Sequence, residues 1–92
     1  MDQLTARHRL NVCIERQLTK YSMKRITLAR LTGADGRAVS EWISGDSTPS
    51  YAAFQRLKEV FRLTDAQLTG ISFKNEQDYN RFFCIGKEES CE

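Results

Sequence analysis

Residues 28–45 read LARLTGADGRAVSEWISG, and their spacing decides the fold class. Leu28, Ala29 and Leu31 are followed by Gly33, which tolerates the left-handed conformation that ends a helix. Asp35 is placed to cap a new helix, its carboxylate accepting the free N–H groups of the first turn. That helix spans Gly36 to Ser44, with Val39, Trp42 and Ile43 directed inward and Gly45 closing it. Its other face holds Gly36, Arg37, Ser40, Glu41 and Ser44, all small or polar, with one long cation near the start. Two short helices around so tight a turn meet at a steep angle, and the small Ala29 lets them approach closely.

Upstream, a helix over residues 25–31 is expected to bury Ile26, Leu28, Ala29 and Leu31. Leu10, Ile14 and Leu18 recur every four residues, predicting an amphipathic helix over 4–21 with Cys13 and Tyr21 on nearby faces. Arg7, Arg9, Arg16 and Lys20 fall mostly off that stripe, on a solvated face. Downstream, residues 46–49 form a loop, and Pro49 suits the first turn of the next helix. That helix shows an apolar face of Tyr51, Phe54, Leu57 and Phe61, with Val60 beside it; Arg56, Lys58 and Arg62 read as solvated surface. A fifth short helix starts at Thr64 and Asp65, runs through Leu68 and stops at Gly70. Beyond it, Ile71, Phe73, Tyr79, Phe82, Phe83 and Ile85 crowd a short tail. A helix over 75–83 fits this spacing, a short strand at 71–73 is the other arrangement, and residues 87–92 are expected to fray.

With 92 residues, 40% hydrophobic and 28% charged, the chain suits one globular domain with a modest core. No apolar run approaches the roughly 18 residues that span a bilayer, and the N-terminus lacks the apolar stretch of a signal peptide. A cytoplasmic protein is expected. Cys13, Cys84 and Cys91 show no paired spacing, and His8 stands apart from them. Reduced thiols, no metal and no cofactor follow, with Cys13 read as a small core residue. Residues 1–62 carry eleven Lys or Arg against six Asp or Glu, a net +5, whereas residues 63–92 carry three against six, a net −3. A basic body suits a polyanionic partner. The chain does not read as an enzyme: its single histidine lies on an exposed helix, and no nucleophile–base pair can be placed.

Leu28, Ala29, Gly33, Val39, Ser40, Trp42, Gly45, Pro49 and Ser50 together resemble the lambda-repressor/Cro-like (XRE-type) helix-turn-helix family. The fourth and fifth helices also fit, so the resemblance covers residues 10–70. It implies an all-α, five-helix bundle over residues 1–70, with residues 71–92 as a C-terminal extension. It also implies that Gly36–Ser44 enters the major groove of double-stranded DNA. Carried over singly, Gly36, Arg37, Ser40 and Glu41 match positions that commonly face base edges. Arg37 is the leading reader, because a guanidinium bonds both O6 and N7 of guanine. Glu41 either accepts from a cytosine amine or orients Arg37 one turn away. Trp42, on the inward face, is core rather than an intercalator.

Lys24 and Arg25 open the second helix, where positive charge and a helix N-terminus both favour phosphate. Two departures from the family pattern stand out. Lys24 replaces the usual small cap, so the helix start is expected to shift or lean on Ser22. The loop after Gly45 lacks basic residues and carries Asp46, so phosphate contact there falls to Ser44, Ser47 and Thr48. Members of this fold bind palindromes as dimers with half-sites about one helical turn apart. Phe73, Tyr79, Phe82 and Phe83 are the candidate dimer interface, or else they fold back onto the bundle. No ligand-sensing or self-cleaving domain is expected. A homodimeric repressor on a palindromic operator is expected: phage-type, Cro-like, or an autoregulating antitoxin with a toxin partner. The other reading is a protein-interaction module, binding a toxin or a transcription-machinery protein, with DNA contact incidental.

Overall fold

The computed structural model describes residues 2–83, which form six α-helices and no strand. They are α1 (Gln3–Lys20), α2 (Arg25–Thr32), α3 (Gly36–Ser44), α4 (Tyr51–Phe61), α5 (Asp65–Thr69) and α6 (Glu76–Phe83). The protein is therefore all-α over these residues. Cys84, Ile85, Cys91 and the expected fraying of residues 87–92 lie outside the described residues.

The helix starts follow from local chemistry. Asp2, Asp35, Ser50 and Thr64 each cap a helix, accepting a backbone N–H three residues on. Thr64 forms a full capping box with Gln67, which satisfies two otherwise unpaired donors at once. Pro49 is not in the first helical turn as expected. It precedes the cap Ser50, with its side chain fully buried and its carbonyl engaged by α6. The α2 start does not shift: Lys24 is its cap residue, with no side-chain hydrogen bond, and Ser22 adopts φ 52° in the turn before it.

The core is one cluster built from every helix. Ala6, Leu10, Ile14 and Leu18 of α1 meet Leu28, Ala29, Val39, Trp42, Phe54, Leu57, Phe61 and Leu68. Two expectations for α2 fail: Ile26 is 53% and Leu31 44% exposed. This helix has only eight residues and buries the single stripe Leu28, Ala29 and Thr32, so positions 26 and 31 turn outward. Thr32 is tolerated inside because its hydroxyl donates to the carbonyl of Leu28 at 2.9 Å. Arg7, expected on a solvated face, is half-buried, and its Nε is enclosed without a partner. Tyr21 is half-exposed and stacks on Phe61, with centroids 6.2 Å apart and rings 4° from parallel.

Residues 71–83 join the same core. Neither strand nor helix forms at 71–73, where Phe73 N–H donates to the Asp65 carboxylate at 3.0 Å. Asp65 also pairs with Lys58 at 2.6 Å, tying α4 to α5. Helix α6 then lies against α4. Tyr79 is fully buried, its ring 4.7 Å from Phe54 and 5.1 Å from Phe73 and Phe83, centroid to centroid. Its hydroxyl donates to the Pro49 carbonyl at 2.7 Å. At the other end, the Gln3 carboxamide donates to the Phe82 carbonyl at 3.0 Å and joins α6 to α1. No helix among the described residues is long and apolar enough to cross a membrane.

Candidate nucleic-acid interface

The α2–α3 pair positions every side chain expected at a base or a phosphate, except those of the loop that follows it. Gly33 closes α2 at φ 77°, and the Ala34 N–H reaches back to the Ala29 carbonyl at 2.8 Å. That reversal makes room for Asp35, whose carboxylate accepts the Ala38 N–H at 2.8 Å and starts α3. Val39 and Trp42 then anchor α3, at 0% and 3% exposure. Burying side chains of this size stabilises by about 1.5–3 kcal/mol each, enough to hold a helix of nine residues in place. Gly45 ends it at φ 89°. A Cβ there would come within 3.1 Å of the Asn11 side chain, so α1 closely backs this end of α3.

Asn11 is the residue the sequence reading missed. Its carboxamide faces the carbonyls of Arg7 and Trp42, and with its nitrogen turned toward them it donates to both, at 3.0 Å for Arg7. The link ties α1 to the C-terminal turn of α3. The available signal was a polar residue bordering the Leu10–Ile14–Leu18 stripe.

The outward face of α3 is polar and internally paired. Arg37 Nε donates to the Glu41 carboxylate at 3.2 Å, one turn along, while the Arg37 side chain keeps 87% of its surface exposed. The Nη groups therefore remain at the surface. An exposed pair of this kind contributes little to stability; its effect is to orient the guanidinium. Ser40 lies between them and accepts a hydrogen bond from Arg25 Nη1 at 3.1 Å, across the turn from α2. Gly36 opens the helix, and Ile26 Cδ1 lies 3.6 Å from where its Cβ would be.

Around this face, the expected phosphate ligands divide. Lys24 and Arg25 are exposed and line one groove with Ile26, Ile43, Glu15 and Thr19, so the start of α2 and the flank of α3 share a surface. Ser44 is exposed, but its hydroxyl is within 3.0 Å of the Asp46 carboxylate and 3.2 Å of the Glu41 carbonyl. The acid that weakens the loop electrostatically thus also engages its nearest hydroxyl. Ser47 is half-buried, with its N–H directed at the Glu41 carbonyl at 3.3 Å. Thr48 Oγ1 is buried without a partner and faces away from solvent.

The four residues assigned to a dimer interface are placed within the chain. Tyr79 and Phe83 have essentially no exposed surface, and Phe73 and Phe82 are half-buried against the same aromatic cluster. A buried ring offers no area to a second copy, so only the outer parts of Phe73 and Phe82 lie at the surface. Burial raises the Tyr79 hydroxyl pKa far above the ordinary tyrosine value, and the nearby Asp65 charge adds to this. Burial likewise pushes up the thiol of Cys13, which packs half-buried against the core. Among the described residues, no group of three or more His, Cys, Asp or Glu is placed to hold a metal ion. No family model matches this chain, and neither a curated protein nor a solved structure matches it.

Proposed function

We propose that this protein is a sequence-specific DNA-binding regulator, with α2 and α3 as a helix-turn-helix and α3 as the helix that enters the major groove. The observation that carries the reading is the outward face of α3. Arg37, Ser40, Glu41 and Ser44 form a polar surface on a helix anchored from behind by Val39 and Trp42. An α-helix fits the major groove, where base edges are read by side chains with fixed donors and acceptors. The Arg37–Glu41 pair supplies such a reader, leaving the Nη groups free for guanine O6 and N7. Lys24 stands at the N-terminus of α2, which no side chain caps, and that combination suits a backbone phosphate.

One such unit reads few base pairs, so the functional species is a dimer on a palindromic operator, repressing by covering a promoter. Its half-sites lie about 10 base pairs apart, centre to centre. The test is selection of bound sequences from random duplex DNA, then titration of the winner at several salt concentrations. A palindromic consensus with a steep salt slope supports the reading. Absence of enrichment, with only weak salt-sensitive binding, overturns it in favour of a protein-interaction module.

A further inference from the structure

We propose that Arg25 reads a base together with Ser40, rather than clamping a phosphate, and that the pair selects a base edge rich in acceptors. The inference rests on the DNA-binding reading above and assigns part of its specificity. Arg25 opens α2, yet its Nη1 lies 3.1 Å from Ser40 Oγ in the middle of α3. A guanidinium has donors only, so the Ser40 oxygen must be the acceptor in this bond. The hydroxyl proton is then left to be donated elsewhere. Among the described residues it goes to no acceptor, whereas the hydroxyls of Thr19, Thr32 and Ser44 each donate to a carbonyl in their own helix. Arg25 also keeps its remaining N–H groups, and no carboxylate among the described residues pairs with it. Glu41, the acid on the same face, is taken by Arg37.

What this corner presents is therefore a serine O–H beside a guanidinium, with the guanidinium steered toward α3. Guanine, with O6 and N7 side by side in the major groove, is the base edge that matches two adjacent donors. A phosphate clamp has no need of the Ser40 contact, which draws the side chain from the start of α2 onto the face of the reading helix. Lysine would keep the charge but not the planar fork that can hold Ser40 and a base together.

The test compares wild type with Arg25→Lys, Arg25→Ala, Ser40→Ala and the double variant Arg25→Lys with Ser40→Ala. Each is titrated on the selected operator, on operators altered one base pair at a time, and on unrelated duplex. Arg25→Lys is expected to keep its affinity for unrelated duplex and its salt slope. It should lose discrimination on the order of tenfold at one guanine-containing base pair. Ser40→Ala should relax the same base pair, and the double variant should lose little more than Arg25→Lys alone. If Arg25→Lys keeps full discrimination, or Arg25→Ala weakens all sequences equally and lowers the salt slope by about one, Arg25 is a phosphate ligand and the proposal fails. Failure of the wild type itself to select any sequence would overturn the DNA-binding reading, and this inference with it.

Discussion

Removing one oxygen from Tyr79 tests whether α6 is an integral brace of the fold. The hydroxyl donates to the Pro49 carbonyl at 2.7 Å in a buried setting, while the ring packs against Phe54, Phe73 and Phe83. Tyr79→Phe keeps the ring contacts and strands the carbonyl, which costs about 1–2 kcal/mol at neutral pH. In a domain of this size that lowers Tm by about 5–15 °C. The pH dependence has a definite sign. Burial, and then Asp65, hold the folded-state pKa of Tyr79 above the ordinary value. Its stabilisation is thus complete below the unfolded pKa of about 10 and is lost as pH rises above it. By pH 11 the wild type should have lost on the order of 1 kcal/mol through this group, which the phenylalanine variant cannot lose. Urea unfolding followed by circular dichroism should therefore show two stabilities that differ at pH 7 and converge near pH 11. Equal stability at pH 7, or two curves falling in parallel through this range, would refute the brace.

Three other substitutions separate reading, charge and backbone. Arg37→Ala should leave thermal stability unchanged, since the side chain is largely exposed. Operator titration should then show a loss of roughly 1–3 kcal/mol and a relaxed preference at one base pair. Lys24→Ala should weaken binding to all duplexes alike and reduce the salt slope by about one, measured by titration at several ionic strengths. Gly33→Ala meets no atom within 4 Å but requires φ 77°. Its cost should come from the left-handed backbone alone, about 1–2 kcal/mol by chemical denaturation.

Periodicity and capping chemistry are local, and they carried most of the fold. The apolar repeat of α1, the Gly33 stop, the Asp35 cap and the Gly36–Ser44 limits of α3 all depend on residues within a turn or two of one another. The outward residues of α3 could be named for the same reason, because a helix has only one face opposite Val39 and Trp42. Contacts between distant residues were not legible. Ile26 and Leu31 looked like core because they are apolar, but α2 has room for one buried stripe and Thr32 takes a place in it. Arg7 looked like surface because it is polar and Asn11 drew no reading at all, but both border the packed side of α1. The Arg25–Ser40 bond spans 15 positions and the Tyr79–Pro49 bond 30. Helices α1 to α5, most of their ends and the polar face of α3 were legible in the sequence, because they follow from neighbours along the chain; the α4 start and the choice of a helix for the tail were not. Tertiary structure alone decided how the aromatic tail is used and which polar groups pair across helices, because burial and hydrogen bonding depend on what the folded chain brings together.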